Sequence, residues 1–275
     1  MYIYIESIED LAYLNKELSQ KPYLGVDTEF RRTTKDNMRL ALLQVNDDEE
    51  IYLIDAVLIK QPGDHANFLF SESVIKVFHS CKEDLEAIYA WTQREVANIF
   101  DTQIANSFLG GDFTIGYQGL VEQKLGISLN KDETRSNWLR RPLSDSQLKY
   151  AALDVEYLIH LYKEQESILS KSSKLSWLNQ DIEKLLKVTF NPMLNNSAIE
   201  RSIPKAQEIE FLKNFNKVVE EIATREKINS TLFFSKKAQK DFLRLVHIKG
   251  LDLACEEITI WRRELIRGEL LDILK

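Results

Sequence analysis

The order of strand-like and helix-like segments constrains this chain more than any other feature. Three β-rich runs, residues 23–30, 40–45 and 51–54, follow one another across short polar turns, of which Asn46-Asp-Asp-Glu-Glu50 is the clearest. A short alternating strand at 2–5 and a helix at 7–19 come before them. A strand at 74–78 then runs into a helix opening at Ser80, where Ser80-Cys-Lys-Glu83 reads as a capping box, and 99–101 reads as the last strand. A second capping box, Ser144-Asp-Ser-Gln147, opens a long helix to about Lys163, just after Pro142. Closely linked strands followed by strand–helix units predict a mixed sheet flanked by helices.

Beyond residue 167 the β-rich runs stop. Residues 170–204 read as a polar linker, with Ser170-Lys-Ser-Ser173 at one end, Asn195-Asn-Ser197 near the other and a helix at 177–188 inside. Residues 205–275 are helical throughout by periodicity. The expected organisation is therefore an α/β domain over 1–169, a linker over 170–204 and a small all-α domain over 205–275. A length of 275 residues suits two domains, and 44% hydrophobic residues suffice for a core. No apolar run of membrane-spanning length occurs, and the first residues lack the basic and apolar stretches of a signal peptide, so a cytoplasmic protein is expected. Two cysteines and four scattered histidines make neither a disulfide framework nor a zinc site.

Four carboxylates and a tyrosine carry the chemistry. Asp27 and Glu29, in Gly25-Val-Asp-Thr-Glu-Phe30, are two apart on a strand and so project to one face. Two adjacent acids repel, and a divalent cation relieves that repulsion. Asp84 falls in the first turn of the helix after Phe78. Tyr150 and Asp154, spaced by four, share one helix face, and Asp154 lies in the apolar stretch Ala151-Ala-Leu-Asp-Val155. A carboxylate there is costly unless paired or bound to metal. The first two elements also have an ordinary reading: solvated acids on an edge strand, and dipole stabilisation of a helix start.

Taken in order, Asp-x-Glu on a strand, Asp at a helix start and Tyr-x-x-x-Asp on a late helix resemble the DEDD exonuclease superfamily, in its tyrosine-bearing branch. Val26-Asp-Thr-Glu-Phe30, Leu42-Leu-Gln-Val45, Glu83-Asp-Leu85, Asp101-Thr-Gln-Ile104, Leu120-Val-Glu122, Trp138-Leu-Arg-Arg-Pro-Leu143 and Tyr150-Ala-Ala-Leu-Asp154 are similar to the ribonuclease D family. The similarity covers about residues 3–167. It implies a ribonuclease H-like α/β mixed-sheet domain and hydrolysis by two divalent ions, Mg²⁺ or Mn²⁺, about 3.5–4 Å apart. It implies Asp27, Glu29, Asp84 and Asp154 as metal ligands and Tyr150 as the group beside the attacking water. The implied activity is a 3′→5′ exoribonuclease releasing nucleoside 5′-monophosphates from single-stranded RNA 3′ ends, with transfer-RNA precursors as substrates. Residues 208–275 resemble an HRDC-type helical module, of which long relatives carry two and this chain has room for one.

Further contacts to substrate are expected from Thr28 and Phe30 beside the acid pair, and from His79, Gln103, Tyr117 and Trp138. Thr28 and Phe30 point away from the acids if the strand is regular, so their side chains need a twist there. Arg135, Arg140 and Arg141 form a basic loop ahead of the Tyr150 helix, with phosphate contact expected for at least one and pairing with Asp145 open to another. Lys236, Lys237, Lys240 and Arg244 fall at helical spacing, as a solvated face or an RNA-backbone surface. The net charge of −7 is unevenly spread, since residues 204–275 hold 14 Lys and Arg against 12 Asp and Glu. An acidic catalytic domain is tolerable where cations meet the phosphate. A DNA exonuclease with the same site is the enzymatic alternative. A non-catalytic RNA-binding scaffold would be expected to lack one of the five residues, and all five are present.

Overall fold

A computed structural model describes residues 1–34, 37–129, 136–191 and 204–273. The chain divides into two compact units, residues 1–103 with 115–167, and residues 104–114 with 168–275. In chain order the elements up to residue 171 are Ile3–Ile5 (β1), Ile8–Leu18 (α1), Tyr23–Thr34 (β2), Asn37–Asn46 (β3), Ile51–Asp55 (β4), Ile75–Phe78 (β5), Lys82–Thr92 (α2), Ile99–Asp101 (β6), Thr102–Phe108 (α3), Tyr117–Leu125 (α4), Asp145–Glu156 (α5) and Leu158–Lys171 (α6).

The six strands form one mixed sheet in the order β1-β4-β3-β2-β5-β6. The runs read as closely linked strands pair antiparallel, β2 with β3 and β3 with β4, while β5 and β6 add parallel beyond β2. Both β2 and β3 extend past their apolar runs into Arg31-Arg-Thr-Thr34 and Asn37-Met-Arg39, which lie largely exposed and so leave no burial pattern to read. On the other edge of β2, pairing with β5 covers Tyr23 to Gly25 only. That register leaves Asp27 and Glu29 beyond the end of β5.

Three local expectations are corrected. Ser80 does not cap the next helix. It has a left-handed backbone (φ 63°), and α2 begins at Lys82 with no side-chain cap from its N-cap residue Cys81. The Asp101 carboxylate at the end of β6 serves instead, accepting the backbone N–H groups of Ser80 at 3.2 Å and Cys81 at 2.8 Å. The long helix from Ser144 does start on the expected capping box, but it breaks at Tyr157 into α5 and α6. The Tyr117 hydroxyl sits at the break, accepting Tyr157 N–H at 3.0 Å and donating to Leu153 O at 3.1 Å. Asn46 donates to Val155 O and Glu156 O at 3.0 and 3.1 Å, so the last carbonyls of α5 are met from β3. Gly25 permits the close approach, because a Cβ there would stand 3.1 Å from the Leu158 Cβ.

The third correction concerns the linker. Leu175–Phe190 forms a helix (α7) that belongs to the second unit, with Lys205–Glu226 (α8), Ser230–Phe234 (α9), Lys236–Lys249 (α10), Leu251–Glu256 (α11) and Ile260–Ile273 (α12). Trp261 is fully buried, stacks on Trp177 at 5.1 Å and donates to Asp181 at 2.9 Å. Arg262 closes a two-pronged ion pair on the same Asp181. The Asn195-Asn-Ser197 stretch lies outside the described residues. The all-helical unit fits the HRDC type. Among the described residues no helix is long and apolar enough to cross a membrane.

Candidate active site

Strand alternation places Asp27 and Glu29 on one face of β2, and α5 brings Asp154 to them. One carboxylate oxygen from each of the three lies within 4.8 Å of the others. Asp84, in the first turn of α2, is buried and accepts a hydrogen bond from the Thr28 hydroxyl. Thr28, between Asp27 and Glu29 in sequence, thus meets the fourth acid.

The electrostatics follow from crowding. Burial first, and then the charges of Asp84, Asp154 and Glu29, push the Asp27 carboxyl well above the usual carboxylate range. Burial, with Asp154 and Asp84 beside it, pushes Glu29 up to about 9. Burial raises Asp84 to about 7, against the Thr28 hydrogen bond that lowers it. It raises Asp154 to about 7 as well, against a hydrogen bond from the Tyr150 hydroxyl. Among the described residues none of the four acids is in an ion pair. A cluster of hard oxygen donors, with Asp84 buried, the other three half-buried and no cationic side chain beside them among the described residues, is what a divalent cation fits.

Tyr150 is half-buried, and its ring packs on Trp138 with centroids 6.0 Å apart. Trp138 is 4% exposed, within a cluster that includes Leu42, Leu53 and Ala151. Its face is taken up by that cluster and by Tyr150. Arg141 is engaged by the protein itself. Its guanidinium grips buried Asp55 with two nitrogens and donates to Ala41 O and Trp138 O at 2.8 and 2.6 Å, so it pins the loop carrying Trp138 and does not pair with Asp145. The Tyr4 hydroxyl donates to the same Asp55. Arg140 is exposed and stays available for a phosphate, whereas Arg135 lies outside the described residues.

The other expected contacts are engaged by the protein itself. His79 donates from Nε2 to Ile115 O at 2.9 Å and meets Thr102 Oγ1 through Nδ1, and burial lowers its pKa. Gln103 also donates to Ile115 O, at 2.8 Å. Both hold the segment entering α4, and Tyr117 holds the α5–α6 break. Phe30 is half-buried where the pairing steps from Glu29 opposite Leu42 to Phe30 opposite Leu40, a bulge that increases local twist. That is the irregularity a contact from Phe30 needs. Asp55, Asp101 and Asn46 were missed as site-building residues, because each acts on a segment distant in sequence. In the second unit, Arg244 is committed to buried Glu208 at 2.7 Å, while Lys236 and Lys237 are exposed.

Comparison with known proteins agrees with this geometry. The 3′-5′ exonuclease family model matches residues 2–170. Ribonuclease D of Pseudomonas paraeruginosa is 40% identical over 183 residues, covering 66% of this chain and 48% of that protein. The chain thus spans about half the length of the curated relatives it matches. The crystal structure of Escherichia coli RNase D, described as an exoribonuclease involved in structured RNA processing, superposes with a TM-score of 0.67 at 24% identity over 98% of this chain and 73% of that one. Brucella melitensis NrnC with bound Mg²⁺ gives 0.58 at 22% identity, over 69% and 93%. At those identities the two structures speak for the fold. With the family matched over more than half of its length, the chain belongs to the 3′-5′ exonuclease family.

Proposed function

We propose that this protein is a 3′→5′ exoribonuclease that removes nucleoside 5′-monophosphates one at a time from single-stranded RNA 3′ ends, with transfer-RNA precursors among its substrates. The observation that carries this reading is the convergence of Asp27, Glu29 and Asp154 within 4.8 Å of one another. Asp84 extends the set from α2, and these four would hold Mg²⁺ or Mn²⁺. Bound there, the cations would activate water and neutralise the departing 3′ oxygen. The ribonuclease D relatives support the exoribonuclease reading over the proofreading-type DNA exonuclease, and the Mg²⁺ in the NrnC structure supports the choice of metal.

The protein's own groups do the remaining work. Tyr150 sits one turn before Asp154 and donates to its carboxylate, which fixes the phenol at the edge of the acid cluster. Its role is to orient the attacking water by hydrogen bond. Trp138 limits the motion of that ring, and the Arg141–Asp55 pair fixes Trp138. Asp101 fixes the start of α2 and hence Asp84. Arg140 and Phe30 remain as candidate contacts to the strand. The test uses RNA and DNA oligonucleotides labelled at the 5′ end, with Mg²⁺, Mn²⁺ or EDTA. A ladder on RNA that shortens by single nucleotides, and vanishes in EDTA, is expected. Digestion of DNA at a higher kcat/KM than RNA would overturn the assignment of substrate.

A further inference from the structure

Gln44 lies near the C-terminal end of β3, fully buried, and both polar atoms of its side-chain amide lack a hydrogen-bond partner among the described residues. Buried polar groups are rarely left so. A leucine or methionine of similar volume would match the neighbours Leu42, Leu43 and Val45 with no orphaned amide. The strand register shows what the amide stands beside. Gln44 is paired directly with Asp27 of β2 and, on its other side, with Leu53 of β4. Directly opposed residues of antiparallel strands project to the same face with Cβ atoms about 4.5–5.5 Å apart. The amide of Gln44 and the carboxylate of Asp27 therefore share one face, within the reach of a side chain as long as glutamine. The neighbouring polar residue of that row is already committed, because Asn46 donates to Val155 O and Glu156 O and accepts Asp48 N–H.

We propose that Gln44 is a positioning residue for Asp27, its side-chain N–H donating to the Asp27 carboxylate in the cation-loaded site and so fixing which oxygen faces the cation. This rests on the reading of Asp27 as a metal ligand. An amide suits the task because it donates without charge. A lysine there would compete with the cation, and a second carboxylate would add repulsion. The amide oxygen then needs a donor, and a candidate occurs in the same layer. Trp138 packs in the cluster that contains Leu53, and its Nε1 is buried without a partner among the described residues.

The experiment is calorimetric titration of Mn²⁺ into the EDTA-stripped and dialysed full chain, with metal-free melting temperatures measured alongside. The variants are Gln44→Met, Gln44→Asn and Asp27→Asn. Gln44→Met keeps the volume and deletes the amide. It is expected to lose about 10–100-fold in Mn²⁺ affinity, as other outer partners of metal ligands do, with a metal-free melting temperature equal to or above wild type. Gln44→Asn keeps the amide on a chain one methylene shorter and is expected to lose affinity as well. A packing role predicts the reverse, a lower metal-free melting temperature with wild-type Mn²⁺ affinity, and that result overturns the proposal. If Gln44→Met does not fold, wild-type affinity in Gln44→Asn overturns it equally. Asp27→Asn separates the two readings. Wild-type Mn²⁺ binding in Asp27→Asn removes the metal-site reading and this proposal together. Lost binding in Asp27→Asn with intact binding in both Gln44 variants removes this proposal alone.

Discussion

Stripping the cation should make the protein's stability fall as pH rises, because the acid cluster is then folded against its own charge. The carboxyl of Asp84 rises from 3.8 to about 7 in the folded protein, so the folded state holds a proton that the unfolded state releases across that window. The group therefore costs nothing below about pH 4, costs progressively more as pH climbs, and reaches its full penalty above pH 7. A separation of about 3 pKa units corresponds to roughly 4 kcal/mol. Asp154 behaves alike, and Glu29 carries the window up to about pH 9. At about 2–4 °C per kcal/mol for a domain of this size, Asp84 alone is worth on the order of 10 °C. Buried His79 works in the opposite sense, since a neutral folded histidine gains stability as pH rises through the unfolded value. The useful quantity is hence the melting temperature in saturating Mg²⁺ minus that in EDTA, from pH 5.5 to 8.5, in which groups remote from the cation cancel. The difference should widen steadily with pH, and Asp84→Asn in EDTA should melt above wild type at pH 8. A difference that stays flat across the range, together with Asp84→Asn melting at or below wild type at pH 8, would falsify the account of the cluster's electrostatics.

Tyr150→Phe should reduce kcat about 10²–10⁴-fold while Mn²⁺ affinity stays within a factor of a few; unchanged turnover would leave Tyr150 a packing residue. Arg141→Ala strands the buried carboxylate of Asp55 and should cost about 3–5 kcal/mol in urea unfolding, so a loss below 1 kcal/mol would contradict the clamp. Arg140→Ala should leave stability alone and reduce the slope of log affinity against log salt on single-stranded RNA by about 0.7, and an unaltered slope would exclude a phosphate contact. Lys236→Glu with Lys237→Glu should weaken binding of long RNA more than of short oligonucleotides; an equal effect on both would place those lysines off the RNA path.

The sheet and the acids were legible because their signals are local. Alternation in residues 23–30 places Asp27 and Glu29 on one face, and a four-residue spacing does the same for Tyr150 and Asp154. The features that fix those side chains in place are not local. The apolar pattern runs through Tyr157 without interruption, yet the helix breaks there because Tyr117 and Asn46 satisfy its backbone from other elements. Ser80-Cys-Lys-Glu83 has the composition of a capping box, but Asp101, 21 residues on, takes the backbone N–H of Ser80. Arg141 looked free for phosphate, and its partner Asp55 stands 86 residues away. The serines at 170–173 suggested a linker, whereas Trp177 stacks on Trp261 and Asp181 pairs with Arg262, about eighty residues later.

The claim that four acids from three elements form one cation site is tested most directly by anomalous scattering from crystals grown with Mn²⁺. The account predicts Mn²⁺ peaks at the cluster of Asp27, Glu29, Asp84 and Asp154, lost in Asp27→Asn. Absence of Mn²⁺ from Asp27 in crystals that bind it elsewhere would contradict the account.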